Sequence, residues 1–206
     1  YGWALKRGSV TANPFQGVPA PGREISRDHV LTDADLGAIW RATDKEGAPY
    51  GPLVRLLMLT LARREEVAAM TWGEVAEDLT TWTQPAERTK NGKVHLVHLS
   101  ESARELLRAL VGDEDRPASE ELVFKHPLGG RLTAFSAAKV RLDAASGVTG
   151  WRFHDFRRTG VTALARLGTP PHVADRLLNH LTGTIHGVAA VYQRHDFAEE
   201  RKAALD

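Results

Sequence analysis

The sequence predicts a mainly α-helical fold that contains a small antiparallel β-sheet. Apolar residues recur at helical spacing in most segments downstream of residue 31, which indicates amphipathic helices. Between residues 79 and 99 the pattern changes to one typical of β-strands, and Asn91-Gly92 is a strong hairpin signal. The chain has 206 residues, of which 42% are hydrophobic and 26% charged, as expected for one large globular domain.

The composition excludes several classes of protein. The longest apolar run, 53–62, contains Arg55 and is too short for a membrane helix, which needs about 20 residues. The chain has no cysteine, which excludes disulfides, thiol catalysis and Cys-ligated zinc and is typical of the reducing cytoplasm. Because the formal net charge is only +1, a nucleic-acid partner can be argued only from the local placement of basic residues.

The N-terminal segment differs from the rest of the chain. The chain does not begin with methionine, and residues 2–8 read like the end of a helix that stops at Gly8, which predicts a fragment of a longer protein. Residues 13–27 are rich in proline and glycine and have little apolar periodicity, as in a linker. We therefore expect 1–27 to be the end of one domain plus a linker, and 28–206 to be the main domain.

The main domain is expected to begin with two helices. Residues 31–35 supply an N-cap for a helix whose first apolar positions are Leu36 and Ile39. Pro52 opens a second helix that is apolar nearly all round. A helix without a polar face is ordinarily buried, so this one is expected at the centre of the fold.

A β-region and further helices follow. Strands are expected over 79–85, 87–90 and 93–99, and the Asn91-Gly92 turn joins the last two. Pro85 has no N–H to donate to a ladder, which places its strand at a sheet edge. The remaining predicted helices are at about 101–111, 133–145, 154–167, 170–179, 187–194 and 197–205.

Two basic residues stand at the ends of predicted elements. Arg63 follows the central helix, where an arginine either caps the last carbonyl groups of that helix or is held rigidly to bind an anion. Lys90 lies at the hairpin turn, where a lysine is ordinarily a solvated charge that protects a sheet edge. Neither residue by itself identifies a site.

The last third of the chain contributes two histidines, an arginine and a tyrosine. His154 and Arg157 are three residues apart at the start of a helix, so they either face an anion together or belong to an ordinary surface helix start. His180 ends an amphipathic helix, where an imidazolium often caps the carbonyl groups. Tyr192 lies at helical spacing from Val188, which is also the position of a core aromatic.

In combination these residues occur in the order Arg, Lys, His-x-x-Arg, His, Tyr. The most specific stretches are His-Asp-Phe-Arg-Arg-Thr, then Leu-Leu-Asn-His, then Val-Tyr-Gln-Arg-His-Asp. From about Leu31 to the C-terminus, this ordered set resembles the catalytic domain of the tyrosine site-specific recombinases, the phage integrase family. The resemblance implies a recombinase catalytic-domain fold for 28–206. It also implies that 1–27 is the last helix and linker of an upstream core-binding domain.

The resemblance implies that three of these residues bind a DNA phosphodiester. Arg63 and Arg157 would hold its non-bridging oxygens, where negative charge grows in the transition state. His180 would donate a further hydrogen bond to the phosphate. This arrangement would work without a metal ion, ATP or any other cofactor.

The other three residues would move electrons and protons. The resemblance implies that Tyr192 attacks the phosphorus and becomes a covalent 3′-phosphotyrosine. Lys90, on a mobile hairpin, would protonate the leaving 5′ oxygen, and His154 would assist proton transfer at the tyrosine. Because the phosphotyrosine keeps the energy of the broken bond, the strand can be rejoined.

The chain departs from the family pattern at two places. Leu61 stands where many members have glycine, so the turn that presents Arg63 must be made without glycine's conformational freedom. The spacing from His180 to Tyr192, 192 − 180 = 12, is longer than in many members, and Thr182-Gly183-Thr184 is expected to form an extended loop.

The expected activity is cytoplasmic integration or excision of a mobile element by site-specific recombination. The partners that the resemblance implies are double-stranded DNA at attachment or core sites and a homotetramer on that DNA, with a monomer in its absence. Accessory DNA-bending proteins would complete the set. The alternatives are an inactive integrase-like DNA-binding regulator and a type IB topoisomerase-like strand transferase. A metal enzyme fits poorly because His95 and His98 fall on opposite faces of a predicted strand.

Overall fold

The computed structural model describes residues 1–19, 22, 28–89, 91–112, 115–180 and 196–206. Within them the fold is mainly helical with one two-stranded antiparallel sheet, which confirms the predicted fold class. No helix in these ranges is both long and apolar enough to cross a membrane. The elements are α1 (Gly2–Lys6), α2 (Asp33–Glu46), α3 (Tyr50–Thr60), α4 (Arg64–Ala68), β1 (Thr81–Gln84), β2 (His95–His98), α5 (Glu101–Val111), α6 (Phe135–Ser146), α7 (Phe153–Arg166), α8 (Pro171–Leu177) and α9 (Ala198–Leu205).

The N-terminal segment forms a short helix, as predicted. Past the end of α1, Gly8 adopts a left-handed conformation with φ 70°, and its N–H donates to the carbonyl of Leu5 at 3.1 Å. Residues 13–19 and 22 contain neither helix nor strand. The other residues of the predicted linker, 20, 21 and 23–27, lie outside the described part of the chain.

The predicted N-cap of α2 is confirmed. The hydroxyl of Thr32 accepts a hydrogen bond from the N–H of Asp35 at 3.1 Å, and the Asp35 carboxylate accepts one from the N–H of Thr32 at 3.0 Å. This reciprocal capping box satisfies backbone donors that the first turn cannot pair internally. Such a cap stabilises a helix by about 1 kcal/mol.

Helix α3 lies at the centre of the fold, as its apolar composition predicted. Leu53, Val54 and Leu56 are fully buried. The helix packs against α2, α4, α5 and α7. It therefore fixes where its C-terminal end, and Arg63 just beyond it, lie relative to α7.

The β-region is smaller than the sequence predicted. β1 pairs with β2 in a register that places Thr81 opposite His98 and Gln84 opposite His95. The predicted strand over 87–90 is wrong for its described residues, because Ala86–Arg88 is a 3-10 turn. Two interactions explain this.

The first interaction is a pair of hydrogen bonds within the segment that connects β1 and β2. The hydroxyl of Thr89 donates to the carbonyl of Lys93 at 2.8 Å, and the N–H of Lys93 donates back to that hydroxyl at 3.1 Å. The second interaction pulls Arg88 away from a ladder, since its guanidinium donates to the backbone carbonyl of Glu66 at 2.8 Å and to the carboxylate of Glu74. Asn91-Gly92 does lie in a turn, since the N–H of Gly92 donates to the carbonyl of Thr89 at 3.2 Å and Gly92 has φ 67°. The side chain of Thr89 closes the same connection.

Helix α7 enters the main core through aromatic residues. Phe153 and Phe156 of its first turn pack with the indole of Trp151, with ring centroids 5.4 and 5.0 Å from it. Farther along, Leu164 belongs to a second, smaller core beside α8. The two cores hold α7 at both ends, which limits how far its first turn can move.

Helix α9 packs on its own domain, against α8 and β2. Arg201 is 4% exposed and donates to the carbonyl of Leu96 at 3.1 Å and to the carboxylate of Asp196 at 2.7 Å. The terminal helix expected over 197–205 is thereby confirmed. The helix predicted over 187–194 lies outside the described residues.

Candidate active site

The turn that presents Arg63 is built without glycine. Leu61, which ends α3, adopts a left-handed conformation with φ 54° and ψ 18°, which costs a non-glycine residue roughly 1–2 kcal/mol. The Leu61 side chain is 7% exposed and packs in the smaller core with Leu164, Leu177 and Leu178. Burial of that side chain offsets the backbone cost. Packing of the Leu61 side chain therefore takes the place of glycine's conformational freedom at this turn.

Helix α7 can approach this turn because residue 160 is glycine. A Cβ atom at Gly160 would lie between 2.2 and 2.9 Å from three side-chain atoms of Leu61. The close contact brings the N-terminal half of α7 next to the end of α3. This contact therefore places the segment around Arg63 next to the segment around Arg157, although the two are distant in sequence.

Arg63 is held by a carboxylate that the sequence analysis did not single out. One oxygen of Glu66 accepts from the backbone N–H of Arg63 at 2.8 Å, and the other accepts from its Nη1 at 2.7 Å. The Glu66 side chain is 8% exposed. Within the described part of the chain, the Arg63 side chain therefore bonds to Glu66 and not to the last carbonyl groups of α3. The Arg-x-x-Glu spacing was the signal that could have identified this pair.

Arg157 is buried behind the candidate site. It is 6% exposed, and its Nη1 donates to the carbonyl of Leu61 at 2.7 Å. Its Nη2 donates to the carbonyl of Leu178 and lies 3.3 Å from Nε2 of His180. Burial, and to a lesser degree the positive charge of Arg63, lowers the pKa of Arg157 to about 10. A surface helix start is thus excluded for this arginine.

The two histidines stand beside these arginines. Burial, followed by the charge of Arg158, lowers the pKa of His154 below its ordinary value. Burial, followed by the charge of Arg157, also lowers the pKa of His180, although Asp175 lies 3.8 Å from its Nδ1. Both imidazoles are therefore largely neutral at pH 7 and can either accept or donate a hydrogen bond.

Four of the six predicted residues thus come together: Arg63, His154, Arg157 and His180. In the described ranges, no carboxylate lies within ion-pair distance of Arg157, so the cluster keeps an excess of positive charge. Such a cluster suits an oxyanion, and two guanidinium forks can hold a phosphate. No group of three or more His, Asp or Glu residues is placed to hold a metal ion in those ranges.

The remaining two predicted residues, Lys90 and Tyr192, lie outside the described part of the chain. So does the predicted loop at Thr182-Gly183-Thr184. The neighbours of Lys90 can be placed. Thr89 lines the same pocket as Arg63, and the side chain of Asn91 donates to the side chain of Asn179, the residue before His180.

His95 on β2 lies behind the cluster and couples stability to pH. Its side chain is 8% exposed, hydrogen-bonds to the backbone of Leu177 and lies close to Arg201. Burial, followed by the charge of Arg201, lowers the pKa of His95 to about 4. Between that value and about 6.5 the unfolded chain binds more protons than the folded protein.

We therefore expect the free energy of unfolding to fall as the pH drops from 7 toward 4, by about 3 kcal/mol through His95 alone. The H95Q variant should show a flatter pH profile in urea unfolding experiments. The control is H126Q, which changes a histidine in a turn of the chain far from β2 in sequence. If H95Q and the unaltered protein have equally steep profiles, His95 is not the group that titrates.

Comparisons with known proteins identify the family of this chain. Residues 29–199 match the family model described as the Phage integrase family. The prophage integrase IntA of Escherichia coli K12 is 28% identical over 72% of this chain and 35% of its own length. IntZ of the same strain is 28% identical over 95% of this chain and 48% of its own length. The chain thus spans between about a third and a half of these relatives.

Solved structures show the same fold. The integrase of mycobacterium phage Brujita is similar with a TM-score of 0.64 and 17% identity, over 100% of this chain and 66% of that one. Lambda integrase (residues 75–356), solved as a dimer bound to a COC' core site, has a TM-score of 0.65 and 18% identity, over 90% of this chain and 69% of that one. Since the family model covers most of its length, this chain belongs to the phage integrase family, as its sequence predicted.

Proposed function

We propose that this chain is the catalytic part of a site-specific DNA recombinase, which integrates or excises a mobile element through a 3′-phosphotyrosine intermediate. The observation that carries the proposal is the convergence of Arg63, Arg157, His154 and His180 on one cationic cluster. Relatives named prophage integrases, and lambda integrase on a core site, support the same activity. No observation favours an inactive regulator or a topoisomerase over this activity.

The two arginines would stabilise the reacting phosphate. As the Tyr192 oxygen bonds to phosphorus, negative charge accumulates on the non-bridging oxygens, and fixed guanidinium groups oppose that charge. The carbonyl groups of Leu61 and Leu178 hold Arg157 in place before DNA binds, and Glu66 does the same for Arg63. Little reorganisation is then needed in the transition state.

The titratable residues would carry the protons. A neutral His154 can accept the phenol proton of Tyr192, and the lowered pKa of His154 keeps it neutral at pH 7. The bond from phosphorus to the 5′ oxygen breaks, and Lys90 protonates that oxygen. Thr89 and Asn91, on either side of Lys90, both lie beside the cluster, which supports this role. His180 would hydrogen-bond the phosphate next to Arg157.

The assembly that we propose is a tetramer on double-stranded attachment or core sites and a monomer without DNA. The docking of α9 on its own domain supports the monomer, because that helix is then not engaged with a neighbour. Residues 1–27 would end a core-binding domain and its linker, and 28–206 would form the catalytic domain. Accessory DNA-bending proteins and a cytoplasmic location belong to the same proposal.

The Y192F variant tests the nucleophile. Removing one hydroxyl should leave folding and DNA binding unchanged but abolish the covalent adduct, because phenylalanine has no oxygen to bond to phosphorus. The measurement is adduct formation on a nicked suicide substrate that carries the attachment site. Y50F, a change at a buried tyrosine of α3, is the matched control and should still form the adduct. An adduct with Y192F would disprove the assignment.

A further inference from the structure

Two pockets open on the surface of the cationic cluster, and His154 lines both of them. Pocket A has a volume of about 620 Å³ and is lined by Arg63 and Arg152 among others. Pocket B has a volume of about 390 Å³ and is lined by Arg157 and His180. A ligand that extends from one pocket to the other must therefore cross the place where the reacting phosphate is proposed to lie.

Pocket A is lined by an exposed cation, Arg152. Four of its basic residues already have acidic partners, whereas the exposed side chain of Arg152 takes part in none of the ion pairs between residues that the structure describes. Its backbone N–H, in contrast, is held by the carboxylate of Asp155 at 2.8 Å. Arg152 is thus a fixed backbone position with an available charge. The paired residues are Arg63 with Glu66, Arg64 with Glu65, Arg88 with Glu74 and Lys139 with Asp143.

Pocket B contains a second cation, Arg158, which unlike Arg152 is paired with a carboxylate. Its side chain is 35% exposed and lies 3.1 Å from the carboxylate of Asp155, which is itself buried. The bond to Asp155 fixes the position of Arg158 beside His154 and Arg157 and uses one of the five N–H donors of its guanidinium, so that others can bind a phosphate. Asp28 is the carboxylate in the lining of this pocket.

The spacing of the two arginines matches a nucleic-acid strand. Arg158 lies five helical steps of about 1.5 Å after Phe153, and the extended Arg152 adds up to about 3 Å more, so positions 152 and 158 are roughly 8–11 Å apart along α7. Successive nucleotides of one DNA strand rise by about 3.4 Å. A phosphate between the two arginines would therefore have its two neighbours in reach of Arg152 and Arg158, whose long side chains cover the remaining distance.

We propose that the DNA strand to be cut runs from pocket A across His154 into pocket B, and that Arg152 and Arg158 bind the phosphates on either side of the reacting one. The proposal rests on the proposed function for the position of the reacting phosphate. Arg152 and Arg158 are positioning residues, since they would touch the backbone of the substrate and not the reacting atoms. They would set the register of the strand over the cluster.

The salt dependence of DNA binding tests this strand path without requiring cleavage. The probe is a fluorescein-labelled duplex of about 25 base pairs, and affinity is measured between 50 and 200 mM salt. Log affinity falls linearly with log salt concentration, and R152Q and R158Q should each make this slope less steep by about 0.9. Between 50 and 200 mM salt, the fold-loss of affinity should then be about 3 times smaller for each variant than for the unaltered protein. R158K, which keeps the charge, should restore the slope.

The matched control is R166Q, at the other end of α7, where the guanidinium is exposed and bonded to Asp33 at 2.9 Å. Its slope should not change. Unchanged slopes for R152Q and R158Q, equal losses for R166Q, or no binding of the duplex at 50 mM salt would each overturn the strand path. Because Y192F reports on covalent capture alone, failure of the proposed function and failure of this path give different results.

A chemical substitution resolves the individual phosphates. Once suicide-substrate trapping has located the cleaved bond, a neutral methylphosphonate can replace either neighbouring phosphate. At one of these two positions the methylphosphonate should weaken binding of the unaltered protein but should not weaken binding of R152Q any further. At the other position it should weaken binding of the unaltered protein but should not weaken binding of R158Q any further. Losses that simply add at both positions would show that the two arginines bind elsewhere.

Discussion

Replacing Arg157 with lysine is expected to lower the rate of DNA cleavage by about 10²–10³-fold, the cost of losing one preorganised donor at a developing oxyanion. The buried guanidinium donates to the carbonyls of Leu61 and Leu178 and also faces His180. A lysine ammonium is a single point charge, so it cannot bond both carbonyls and present a planar fork to the phosphate. The rate is measured with saturating suicide substrate in single-turnover experiments.

The control for this substitution lies on the same helix. R166K changes an exposed arginine of α7 in the same chemical way, and it should leave the cleavage rate unchanged. Thermal unfolding of both variants separates a lost fold from a lost donor. If folded R157K cleaves DNA within about threefold of the unaltered protein, Arg157 does not bind the reacting phosphate.

Gly160 should tolerate even a methyl group poorly, although it lies inside a helix. G160A is expected to lower the free energy of unfolding by about 1–2 kcal/mol, because its Cβ would overlap the side chain of Leu61. The higher helix propensity of alanine, worth up to about 1 kcal/mol, offsets part of that cost. Cleavage should fall about tenfold or more, since displacing Leu61 moves a carbonyl that holds Arg157.

A double-mutant cycle tests this explanation. L61A removes the atoms that the new methyl group would meet, so G160A should destabilise an L61A protein much less than it destabilises the unaltered one. Urea unfolding of the four proteins gives the coupling energy directly. G37A, at a glycine of α2 where an added Cβ meets only the end of a flexible arginine side chain, is the control and should cost little. If G160A lowers the free energy of unfolding equally in both backgrounds, the destabilisation does not come from overlap with the side chain of Leu61.

The sequence alone determined those features that depend on neighbours along the chain. The predicted N-cap acts between Thr32 and Asp35, which are three positions apart, as are His154 and Arg157 at the start of α7. The apolar composition of α3 likewise predicted its burial. Because such patterns act within a few residues, helices and the order of the family residues could be identified without knowledge of the fold.

The tertiary structure decided what these residues do to one another. Arg157 and the carbonyl of Leu61 are 96 positions apart, and only the close approach of α7 at Gly160 brings them together. The 3-10 turn at Ala86–Arg88 formed where a strand was predicted because Arg88 bonds to Glu66 and Glu74. Long-range hydrogen bonds and packing leave no periodic trace in sequence, since each depends on where two distant segments meet in the fold.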